Sequence, residues 1–162
     1  MQRPMASQGG GHRPQGERSG RQQGGRDDRG QQPMIDVSKI RFTDPIDAKL
    51  YSDIAEEAAK TVSPGERAQK NKPTQLRRFY DELVLLQEKV GSDGAKFELQ
   101  APFIQMLKAK VAYAKGRDKV DANFEKLLRH VVDEIKDAAT LKRAKLFMEA
   151  FMAFYKVHGP RD

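Results

Sequence analysis

Between Ile35 and the C-terminus, large apolar residues return every third or fourth position, and nowhere do they alternate long enough to build a strand. That spacing lays an apolar stripe along one side of an α-helix, which can be buried only against another helix. The body of the chain must therefore fold as helices packed on helices.

Punctuation residues divide the pattern. Thr43-Asp44-Pro45 reads as a cap with proline at the first helical position, followed by the stripe Ile46, Leu50, Ile54 and Ala58. Ser63-Pro64-Gly65 ends that helix, and a polar loop with Lys70, Asn71, Lys72 and Pro73 follows. Thr74 then caps a helix that buries Leu76, Phe79, Tyr80, Leu83, Leu86 and Val90. After Gly91 and Gly94, Pro102 either opens the third helix or kinks a longer one begun near Ala95. Phe103, Leu107, Val111 and Ala114 face inward from it, with Gly116 at C′. A fourth helix carries Val120, Phe124, Leu127, Val131 and Ile135. Thr140 caps a fifth, which carries Leu141, Ala144, Met148, Phe151 and Tyr155. The last segment, Met148 to Tyr155, has more apolar surface than one stripe needs: the helix is either central or packs on another subunit. The fold class is all-α, a compact bundle of about five helices preceded by a disordered N-terminal tail.

The tail, residues 1–34, holds eight of the 13 Gly, seven Gln, six Arg and no Lys. Such a stretch has too little apolar surface to offset the entropy of ordering it. Two readings of it stand side by side: a loose RNA holder acting through Arg charge and stacking, or a solubilising linker. Residues 35–162 form one helical-bundle domain, with 24 Lys and Arg against 20 Asp and Glu. The whole chain has a net charge of +7, which directs attention to polyanions, nucleic acid first. No run approaches the ~18 apolar residues of a membrane span, and no secretory signal core is present, so no membrane partner is expected. Zero cysteines exclude disulfides, thiol chemistry and Cys-type zinc sites, and fit a cytoplasmic protein.

Little supports catalysis. His12, His130 and His158 are far apart, and none has a metal-ligand partner at i+3 or i+4. His130 falls on the polar side of the fourth helix as a solvated residue. Neighbouring acids such as Asp133-Glu134 diverge by about 100° on a helix. No metal, cofactor or catalytic residue is assigned. The cations say more: Arg67, Lys70, Lys72, Arg77 and Arg78 form one group, and Lys108, Lys110, Lys115, Arg117 and Lys119 another. Lys108 and Lys115 share a helix face. Lys119 and Lys126 repeat the spacing on the next helix, with Arg129 beyond. Gathered without nearby acids, such groups suit a phosphodiester backbone. The phenylalanines fall mostly at core positions, so contact is expected at backbone level, without base stacking or sequence readout.

Three segments resemble the small subunit of the type III-A CRISPR effector, the Csm complex. They are PTQLRRFYDEL from Pro73, LKAKVAYAKGRDK from Leu107 and LFMEAFMAFYK from Leu146, and with their spacing the resemblance covers about residues 70–158. It implies a five-helix bundle without an active site. Copies would self-associate as a filament beside the backbone and large subunits, touching the guide RNA–target RNA duplex. On matching positions it implies Arg77, Lys108 and Arg117 as RNA contacts, then Lys115, Lys126 and Arg129, then Lys72 and Arg78. The alternatives are a free-standing, nonspecific RNA-binding helical protein acting through its Arg/Gly-rich tail, and a ribonuclease using His130 with Lys126.

Overall fold

The computed structural model describes residues 9–11, 33–64 and 69–162. Most of the tail, His12 and Arg67 lie outside the described residues. The helices all belong to one compact unit, Gln32–Asp162. Its first helical element is a π-helical turn, Leu50–Ile54, running directly into α1, Ala55–Val62. Then come α2, Pro73–Val90; α3, Gly94–Gly116; α4, Ala122–Asp133; and α5, Ala138–His158. No strand occurs among the described residues, and the expectation of an all-α bundle of about five helices holds.

α5 is the central helix. It packs on α1 and α2, while α3 packs on α2 and α4. Leu141, Ala144, Phe147, Met148, Phe151 and Tyr155 of α5 are fully buried. Most of the apolar surface of the last helix is thus taken up inside the bundle, while Met152 and Phe154 are half-buried at its edge. Aromatic rings form the spine of the core: Phe79 meets Phe124, Phe124 meets Phe151, and Phe151 stacks on Tyr155, with centroids 5.5–6.4 Å apart. At the end of α5 the backbone turns back over this spine. A Cβ on Gly159 would lie 2.7 Å from the Tyr155 ring, so only glycine fits the approach.

Several boundaries differ from the sequence reading, each for a local reason. Residues 43–45 form a bend with a cis Asp44–Pro45 bond, and helical structure starts only at Leu50. Tertiary partners hold the preceding strap: Ile35, Ile40 and Phe42 are buried. Lys126 donates to the Ile35 carbonyl, His130 Nε2 lies 2.6 Å from the Ile40 carbonyl, and Arg143 donates to that of Phe42. His130 is therefore half-buried against backbone, not solvated.

α2 begins at Pro73 with Lys72 as its N-cap, and Thr74 bonds the Asp162 carboxylate through both its amide and its hydroxyl. α3 is the longer alternative, with Pro102 inside it and the Asp93 carboxylate capping its first amides. Phe103 is 58% exposed, and Phe97 and Ile104 take the inward positions beside Leu107 and Val111. Gly116 is the last helical residue; the positive φ that reverses the chain belongs to Asp118. Asp137, not Thr140, is the N-cap of α5, and Thr140 completes the capping box from the third position.

Candidate nucleic-acid interface

One end of the bundle collects the start of α2, the end of α3 and the start of α4, and a buried asparagine holds them together. Asn71 has no exposed surface and a left-handed backbone, φ 57°, which asparagine tolerates better than most residues. Its amide donates to the Lys119 carbonyl at 2.9 Å, and its side-chain Nδ2 to the Val62 carbonyl at 3.1 Å. Its Oδ1 accepts from the Asp121 amide, and its own carbonyl accepts from the Tyr155 hydroxyl. Every polar group of this residue is used. The sequence offered it only as part of a polar loop.

Around this anchor stand cations from two loops. Lys70 pairs with Asp118 at 2.9 Å, which joins the loops at the surface as Asn71 does beneath. Lys72, half-buried, and the exposed Arg117 and Lys119 have no acidic partner among the described residues. Lys119 lies in the loop, not on the fourth helix. The Arg117 guanidinium sits over the ring of Tyr113, one turn earlier on α3, 5.6 Å from its centroid. Tyr113 is 67% exposed.

The expectation that the cations gather without nearby acids does not hold along α3. Lys108 pairs with Asp133, Lys110 with Glu82 at 2.7 Å, and Lys115 with Glu125 at 3.2 Å. α3 runs between α2 and α4, so its flanks meet their acids. Each pair keeps at least one well-exposed member and is worth little, ~0–1 kcal/mol, so a phosphate can displace it. Arg77 makes a loose 3.9 Å contact with Asp81. It also lines a groove of about 490 Å³ with Tyr80, Met152 and Lys156. Arg78 and Arg129 are exposed and unpaired among the described residues. Lys126 is occupied by the Ile35 carbonyl.

The structure thus joins the loop that carries Lys70 and Lys72 to the one that carries Arg117 and Lys119, through the Lys70–Asp118 pair and the Asn71–Lys119 bond. Lys108 and Lys115 lie along the α3–α4 seam, Arg77 and Arg78 on α2, and Lys126 and Arg129 on α4. Tyr113 was missed, although its position four residues before Arg117 on a helix places the two side chains in contact.

Nothing among the described residues of this region resembles a reaction centre. His130 and Lys126 are both spent on strap carbonyls, and His158, the last residue of α5, bonds Glu56 at 2.9 Å. That bond holds the Glu56 carboxyl below its ordinary range. No group of three or more metal-ligating side chains occurs among the described residues, and none of their helices is long and apolar enough to cross a membrane. A family model described as Csm2 Type III-A matches residues 47–161, reaching back through the first helix. No curated protein and no solved structure matches the chain.

Proposed function

The chain belongs to the Csm2 type III-A family, the small subunit of the type III-A CRISPR complex, and from that premise we propose that it is a non-catalytic, cytoplasmic subunit that holds target RNA by its phosphates. The carrying observation is the cationic end of the bundle, where Lys72, Arg117 and Lys119 stand without acidic partners among the described residues, on a loop pair fixed by Asn71. A subunit that serves any guide must bind what every RNA shares, and phosphate spacing does not vary with sequence. Arg77, Lys108 and Lys115 extend the charge along α2 and α3, with Arg78, Lys126 and Arg129 as outer contacts.

Copies of the subunit stack along the guide–target duplex beside the backbone and large subunits. The groove of about 440 Å³ between α2 and α3, where exposed Leu85, Phe103 and Met106 stand among Glu82, Lys89, Gln100 and Lys110, supports that stacking: a neighbouring copy covers it. Each copy contributes few phosphate contacts, and several copies on one strand add through effective concentration.

The test is an effector reconstituted with Arg77, Lys108 and Arg117 all changed to alanine. Target-RNA affinity falls, and the slope of its logarithm against log salt drops by roughly 2 per copy engaged, from ~0.7 per lost contact. Helical circular dichroism stays unchanged. Undiminished affinity and slope would refute the assignment. Deleting residues 1–34 separates the rival reading, since a tail-driven binder then loses most of its RNA affinity and the effector subunit keeps its place.

A further inference from the structure

We infer that Tyr113 and Arg117 form a stacking platform for one unpaired nucleobase of RNA, so that this end of the bundle grips base as well as phosphate. The inference rests on the reading of this end as an RNA interface and adds to it a contact that phosphate binding does not require.

Three observations carry it. Tyr113 is an aromatic side chain outside the core and is 67% exposed, whereas Phe79, Phe124, Phe147, Phe151 and Tyr155 are buried. Its ring is already oriented, because the Arg117 guanidinium lies over it at 5.6 Å, one helical turn away. An oriented pair has less rotamer freedom left to lose when a base arrives. The third observation is the company it keeps. Arg117 leads directly into Asp118 and Lys119, and the Lys70–Asp118 and Asn71–Lys119 links bring Lys70 and Lys72 to the same loop cluster. Cations that track a backbone beside a flat π-face are the two ingredients of single-strand recognition.

A base can lie on the uncovered side of the ring or on the outer plane of the guanidinium. Every base has a π-face, so the contact tolerates any sequence, as a subunit serving many guides requires. It does require the base to be unpaired, and it therefore selects single-stranded or splayed nucleotides over a continuous duplex.

The chain has no tryptophan, so Tyr113→Trp places a lone tryptophan at the site, which can be excited apart from the three remaining tyrosines. The full chain is titrated at low salt with oligoadenylate and with an abasic ribose-phosphate oligomer of the same length. Oligoadenylate quenches the tryptophan and the abasic oligomer does not. In the unlabelled protein oligoadenylate binds about fivefold to a hundredfold more tightly than the abasic oligomer. Tyr113→Ala removes that ratio and leaves abasic binding intact, with circular dichroism confirming the helices. Unquenched emission with oligoadenylate bound, or a ratio that survives Tyr113→Ala, overturns the platform while leaving phosphate binding in place. Failure of both oligomers to bind refutes the RNA-interface reading itself, and the platform with it.

Discussion

The Tyr155 hydroxyl, at the end of the central helix, donates a 2.6 Å hydrogen bond to the backbone carbonyl of Asn71. Both groups are buried, and burial pushes the Tyr155 hydroxyl well above the ordinary tyrosine range, with the Asp121 charge adding to the rise. The bond ties the loop that carries Lys70 and Lys72 to the bundle core. Tyr155→Phe leaves that carbonyl without this donor and lowers stability by about 1–3 kcal/mol. Asn71→Ala costs more, because it strips partners from the Val62 carbonyl and the Asp121 amide and places alanine at positive φ. Urea denaturation of the two variants checks the order. An Asn71→Ala protein as stable as Tyr155→Phe would show that the Asn71 side-chain bonds and its positive φ together count for no more than the single Tyr155 bond.

The ion pairs along α3 are competitors for phosphate, and removing the acid frees the base. Glu125→Gln releases Lys115, and Asp133→Asn releases Lys108, without altering either cation. RNA affinity at low salt rises a few-fold in each variant, because the pair no longer has to be broken before a phosphate is engaged. Electrophoretic mobility titration of the double variant reads the effect. Unaltered or weaker binding would place Lys108 and Lys115 outside the interface.

How far the sequence reached depends on which forces act locally. The apolar period located every helix, since burial of a stripe depends on spacing alone; Leu76, Phe79, Leu83, Leu86 and Val90 all lie inside as that spacing required. It failed where a distant partner decides. The start of the first helix depends on His130 and Arg143 holding the strap from 90 or more residues away, and Asn71 is buried by contacts with three separate segments. Four-residue spacing from Leu107 and Val111 puts Phe103 inside, but the stripe that is buried continues from Leu107 to Ile104, three residues earlier, and leaves Phe103 outside. At the interface, residue types were legible and pairing was not: nothing local in the sequence says that Lys108 lies against Asp133 while Lys119 has no acidic partner among the described residues.

His130 offers a sharp test of whether this chain cleaves RNA. Its Nε2 is engaged with the Ile40 carbonyl, and its neighbour Lys126 with that of Ile35, so both act as clamps on the strap. His130→Ala is expected to destabilise the fold by about 1–2 kcal/mol through the orphaned carbonyl. RNA incubated with the purified wild-type chain remains intact. Cleavage by the wild type that disappears in His130→Ala would reverse this assignment and revive the ribonuclease reading.

Acid should expose the capping box that starts α5. Asp137 accepts from the Thr140 amide at 2.8 Å and from the Thr140 hydroxyl. Those bonds, the backbone one first, hold its carboxyl below the ordinary value of 3.8, with the Arg143 charge assisting. A carboxyl whose pKa is lower in the folded state stabilises the fold while ionised. That stabilisation is complete above its unfolded value and is lost as the pH falls through the folded one. Asp137→Asn keeps an oxygen for the cap but cannot titrate. Melting temperatures measured from about pH 6 down to about pH 2 should therefore fall more steeply for the wild type, and the gap between the two proteins should narrow in acid. Asp36 and Glu56, whose carboxyls are also lowered, titrate in both proteins and cancel in the comparison. Parallel curves would mean that the charge of Asp137 does not support the cap, and that a neutral side-chain oxygen at this position serves as well.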